Sequence, residues 1–224
     1  MIVVVGLAAY VSSPDGQGSA GGLAVDVAVE AARRGGVVEL VGKVGDDGAG
    51  DAVVMALGRL GIGHAALLRD SARPTPMLTV EKPASDEPGA EIDADAVADS
   101  PVAALLPAEP AERPGLEAGD VQLALRYLAE TKVVVVADPL SDAALAATVE
   151  GVAFAGARLV VLVPAGSPAP VVPVDATVLE APPEDDGSFG RVVGAFAAAL
   201  DSGLEAKAAF AQAVERSGWE AVAD

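Results

Sequence analysis

The chain reads as a doubly wound α/β domain built on a mostly parallel sheet. Three observations carry that expectation. Met1 to Gly6, Val37 to Val41 and Lys132 to Ala137 each hold a β-branched run of the kind buried on both faces of a sheet. Ala-rich segments with helical apolar spacing lie between such runs. The order strand, loop, helix, strand then repeats along the chain, which is the signature of βαβ units.

Each element follows from its own residues. Met1 to Gly6 is the first strand, closed by glycine, and Leu7 to Ala20 reads as a loop rich in glycine, serine and proline. Leu23 to Arg34 is a helix ended by Gly35-Gly36, and Val37 to Val41 is the second strand. The loop GKVGDDGAGD precedes a helix from about Ala49 to Leu60, and Pro74 to Glu81 alternates enough for a half-exposed strand. Residues 81–120 form an acidic, Pro-rich excursion with eleven acids, six prolines and only Lys82 and Arg113 as basic residues. Order returns with a helix over Asp120 to Thr131, a strand over Lys132 to Ala137, and a helix over Ser141 to Ala155 with Ser141 as N-cap. Arg158 to Val163 is a buried strand, and Val171 to Leu179 is a Pro-interrupted strand near an edge. Phe189 to Leu200 and Leu204 to Ser217 are two closing helices, and 1–224 is expected to be one domain.

Composition removes whole classes of function. The 224 residues include 33 acids and 14 Lys plus Arg, a formal charge of −19. Such a surface repels phosphate backbones and anionic lipid, so neither nucleic acid nor membrane is an expected partner. The absence of cysteine excludes a disulfide scaffold, a thiolate metal site and a cysteine nucleophile, and the single histidine, His64, excludes a two-imidazole site. The longest apolar-rich run, Leu159 to Val174, is broken by Pro164, Pro168, Pro170 and Pro173, and the amino end carries no basic leader. A cytoplasmic protein is the resulting expectation.

The segment from Gly21 to Gly63 carries the most specific pattern. Gly21-Gly22 before a helix lets backbone amides approach a ligand, and Asp26, one turn on, is placed to meet a ligand hydroxyl. Asp46 and Asp47 stand at the mouth of the next helix, where they can cap it. The same residues would equally make a glycine turn and a capped helix in any α/β protein.

Taken in order, Gly21-Gly22, then Gly42, Val44, Gly45, Asp47 and Gly50, then Leu57 with Gly61-Ile62, resemble the N-terminal signature of the ribokinase-like (PfkB) carbohydrate kinases. The match covers about a fifth of the chain. The resemblance implies a Rossmann-like sheet with a small β lid, reduced here, and ATP-dependent phosphorylation of a sugar, nucleoside or related alcohol with magnesium. Gly21, Gly22 and Asp26 then fall in the substrate region, and Gly166, Gly187, Ser188 and Gly190 in the nucleotide region.

The second family signature, D-T-x-G-A-G-D before a small-residue helix, should supply the phosphate-binding amides and the base that takes the hydroxyl proton. Here the segment is EDDGSFGRVVGAF. Gly194-Ala195-Phe196 match the helix, but Gly190 stands at the base position and Phe189 where glycine lets phosphate approach. The family's asparagine in the first helix is Asp26 here, and Gly48-Ala49-Gly50-Asp51 spells the anion-hole sequence in the wrong half of the chain. The leading expectation is a degenerate, weakly active or inactive kinase-like protein that binds a small polyol such as a sugar, or a nucleoside. The alternatives are a kinase using a relocated base such as Asp186, and a homodimeric scaffold without chemistry. No metal site is expected from residues alone, although Glu184, Asp185 and Asp186 could gather a cation.

Overall fold

The computed structural model describes residues 1–12, 18–79, 112–128, 130–182 and 187–217. Most of the acidic excursion, Asp186 with its two acidic neighbours, and Trp219 lie outside these residues.

Six parallel strands form the central sheet in the order β5-β4-β1-β7-β8-β9. These are β1 (Ile2–Val5), β4 (Val38–Gly45), β5 (Leu67–Asp70), β7 (Val133–Val136), β8 (Arg158–Pro164) and β9 (Thr177–Ala181). β1 is central: Ile2 pairs with Val38 on one side and Val133 on the other. All four residues of β1 are buried because each faces a packed layer. Ile2 and Val4 join the core under α1 (Leu23–Arg33), α2 (Gly48–Arg59), α5 (Ser188–Asp201) and α6 (Ala206–Ser217). Val3 and Val5 join the opposite core under α3 (Ala118–Tyr127) and α4 (Asp142–Ala155). The β-branched runs therefore read as strands because period two placed both sets against helices.

Local chemistry sets the helix ends. Ser141 caps α4 by accepting the Ala144 N–H at 3.3 Å, and the left-handed Gly156 ends it. Leu23 and its helix start at Gly22, whose φ of +106° is open to glycine alone.

The structure differs from the expectation in three places. The segment read as a loop over Leu7 to Ala20 contains two strands, β2 (Ala9–Ser12) and β3 (Gly18–Gly21), paired antiparallel. With β6 (Met77–Thr79), which runs parallel to β2, they make a second, three-stranded sheet. Ala9, Val11 and Leu78 bury a small core of their own there, which offsets the weak strand propensity of the glycines. Next, β4 does not stop at Val41 but runs to Gly45, so all four residues of GKVG are strand. Finally, β5 extends the sheet with a four-residue strand that is only partly buried, as an edge strand is.

Candidate functional site

Chain order places a crevice at the sheet's switch point. From β1 the chain builds outward through β4 to β5, and later from β7 through β8 to β9 on the other side. Connections thus leave β1 and β7 in opposite directions, and open parallel sheets bind ligands beyond the carboxyl ends of such strands. A cavity of about 170 Å³ lies there, lined by Gly6 and Leu7 after β1, Lys43 of β4, Asp138 to Leu140 after β7, and Arg113 to Leu116 before α3.

Asp138 is its central polar group. The Leu7 N–H donates to Asp138 Oδ2 at 2.8 Å, fixing the carboxyl between the two strand ends. Burial pushes its pKa up, against the opposing effects of the Leu7 N–H and the Arg113 charge. Lys43 is balanced by Asp120 at 2.7 Å. Because a raised acid pKa favours the protonated form, the stability Asp138 contributes is present at low pH and is lost as pH rises toward the folded-state value. Asp138→Asn is therefore expected to melt higher than the wild type at pH 7 and no higher at pH 4. Equal melting temperatures at pH 7 would show that the carboxylate is not strained there.

The two glycine-rich ends that the sequence singled out meet on the other layer. Gly21 closes β3 beneath Val11, and Gly22 caps α1. Asp26 lies in the first turn of α1, its N–H bonded to the Gly22 carbonyl at 3.0 Å. Gly190 lies in the first turn of α5 and is buried against α1. A β-carbon at residue 190 would stand 2.8 Å from Asp26 Cβ, and one at residue 194 would stand 2.6 Å from the Val27 carbonyl oxygen. These two glycines, one turn apart, let α1 and α5 close on each other. Asp26 and Gly190 are thus brought together.

The remaining nucleotide-region residues fall in two separate places. Gly187 is the left-handed cap of α5, followed by Ser188. Gly166 sits in the exposed turn after β8, and its N–H donates to Glu180 Oε1 at 2.6 Å.

The best-matched motif proves to be a clamp. Asp47 caps α2 by accepting the Gly50 N–H at 2.8 Å. The same carboxylate accepts the Thr75 N–H at 2.8 Å and the Thr75 hydroxyl at 2.7 Å. Thr75 Oγ1 in turn accepts the Gly45 N–H at 2.9 Å. Arg69 completes the knot, donating to the Gly45 carbonyl at 3.0 Å and to Asp51 at 2.6 Å. Asp51 is a solvent-facing acid in an ion pair, 69% exposed, as its place in a first helical turn suggested. The knot ties β4, α2 and the approach to β6 together. Asp46 lies beside it, and its N–H bonds to the Asp70 carbonyl at 2.9 Å.

Sequence reasoning did not single out Asp138, Thr75 as the clamp's partner, or Arg113 as a cavity residue. A signal for Asp138 existed: it is the first charged residue beyond the all-valine strand β7, followed by Pro139. His64 is held locally, its Nδ1 3.2 Å from the Ile62 carbonyl.

No protein-family model matches the chain, and no curated protein matches it. Solved structures do. A PfkB protein from Polaromonas sp. JS666 superposes with a TM-score of 0.63 at 15% identity, over 97% of this chain and 93% of that one. The chain has the fold of the ribokinase-like carbohydrate kinases. A ribokinase from Arabidopsis thaliana, complexed with ribose and ATP, matches with a TM-score of 0.58 at 15% identity, over 96% of this chain and 90% of that one. A sugar kinase from Pyrococcus horikoshii in complex with ATP matches over 73% of this chain at 17% identity with a TM-score of 0.50. This chain spans 53%, about half, of that kinase's length. Among the described residues, no helix is long and apolar enough to cross a membrane.

Proposed function

We propose that this chain is a kinase-like binding protein for a small polyol, a sugar or a nucleoside, that does not transfer phosphoryl groups. The observation that carries the reading is Gly190. In the resemblance, residue 190 supplies the base for the acceptor hydroxyl, and phosphoryl transfer depends on positioning that group. Glycine has no such group, and the packing against Asp26 leaves no space for one. The ligand's place is the switch-point cavity, where Asp138 and the strand-end backbone offer polar contacts.

Two features of the described residues weigh against Mg–ATP. The Gly166 amide is already given to the carboxylate of Glu180, which would repel a phosphate brought to that turn. Gly190 is buried, and its α-carbon faces Asp26 of the neighbouring helix.

Calorimetric titration of Mg–ATP into the pure protein tests this. The expected result is no binding heat at millimolar nucleotide. A dissociation constant tighter than about 1 mM, worth about −4 kcal/mol, would contradict it. A relocated base is the second reading, and the juxtaposition with Gly190 points to Asp26 for that role. It requires that Asp26→Asn abolish a turnover measurable in the wild type.

A further inference from the structure

We propose that the ligand of the switch-point cavity is a monoanionic hydroxy acid, with its carboxylate on Arg113 and a hydroxyl on Asp138. This rests on reading that cavity as the binding site and adds the charge of what it binds. The carrying observation is the state of Arg113. The chain has more than twice as many acids as bases, yet among the described residues Arg113 makes no hydrogen bond and no ion pair. Other described basic side chains have found acids: Arg34 with Glu30, Lys43 with Asp120, Arg69 with Asp51, Arg73 with Asp70. Arg33, Arg59, Arg126, Lys132 and Lys207 are exposed, and water serves them. Arg113 is partly buried in the cavity wall and has no counter-ion among the described residues.

A guanidinium cannot shed its proton, so partial burial without a partner costs free energy that a bound anion returns. Its planar fork matches a carboxylate with two parallel hydrogen bonds. The charges around the cavity set the ligand's charge. Lys43 is cancelled by Asp120, and Asp138 lies close enough to feel the Arg113 charge without pairing with it. Burial favours the neutral form of Asp138, which leaves one positive charge to answer. A phosphate monoester would bring two negative charges next to Asp138 and Asp120 inside a protein of charge −19. A single carboxylate fits this balance better. The cavity's 170 Å³ is below the usual range of drug-sized sites, which suits a compact molecule.

The test is calorimetry with the full chain at low salt. D-glycerate and D-gluconate are compared with glycerol and ribitol, and inorganic phosphate is run beside them. The expected result is that the acids bind roughly tenfold or more tighter than the uncharged polyols. Arg113→Gln should erase that preference without lowering the circular-dichroism melting temperature, and Arg113→Lys should keep the charge but lose part of the affinity. Equal or tighter binding of the uncharged polyols removes the proposal and leaves the cavity as the ligand site. Phosphate binding tighter than either acid overturns the carboxylate assignment. An acid preference that survives Arg113→Gln does the same for the role of Arg113. If neither acids nor polyols bind, both the proposal and the reading of the cavity fall.

Discussion

Replacing Asp47 by alanine is expected to cost about 3 kcal/mol of stability, the sum of a lost helix cap and a stranded Thr75 amide and hydroxyl. For a chain of this size that is a drop of roughly 10 °C in melting temperature. The reason is geometric. One carboxylate holds three donors from two segments, Gly50 N–H, Thr75 N–H and Thr75 Oγ1. Asp47→Asn keeps one acceptor oxygen and should lose about half as much. The pH dependence follows from the same contacts. Burial raises the Asp47 pKa, but the hydrogen bonds from Thr75 and Gly50 and the Arg69 charge outweigh it and hold the value below the ordinary one. A depressed pKa means that the unfolded chain takes up the proton first, so the contribution is intact above about pH 4 and is lost as pH falls through the folded-state value. Thermal melts of wild type and Asp47→Ala from pH 7 to pH 3 should therefore converge at the acid end. A constant gap would mean that the clamp does not depend on ionisation.

Placing an acid at residue 190 is expected to harm the fold. Gly190→Asp puts a side chain 2.8 Å from Asp26 Cβ and a second negative charge beside it. Overpacking with like charges at a helix contact should cost about 3 kcal/mol. Gly194→Val is the control, because its β-carbon meets the Val27 carbonyl oxygen at 2.6 Å, and backbone cannot step aside as a side chain can. It should cost a similar amount with no change of charge. If Gly190→Asp melts like the wild type, α1 and α5 are not as close as described and residue 190 has room for a base.

What the sequence made legible, and what it hid, has a physical division. β1 and β7 were readable because burial on both faces demands an unbroken apolar run. β2 and β3 were not, because Gly18 and Gly21 are glycines to admit Tyr10 and Val11 from the partner strand, and glycine in isolation reads as a turn. The GxVGxD pattern was legible as a motif but not as a clamp, since Thr75 lies 28 residues from Asp47. Gly190 was legible as standing where the resemblance expects an acid. Its contact with Asp26 was not, because that depends on how closely two helices pack. Asp138 was one acid among 33, and only the sheet order shows that it stands at the switch point.

On the proposed reading, this fold holds a ligand without phosphorylating it. The most direct measurement is ADP formation from Mg–ATP by the pure protein, with sugars, nucleosides and hydroxy acids supplied one at a time. The expected result is no ligand-dependent ADP with any of them. ADP that forms only when one compound is present, and that disappears in Asp26→Asn, would contradict the claim and make this chain a working kinase.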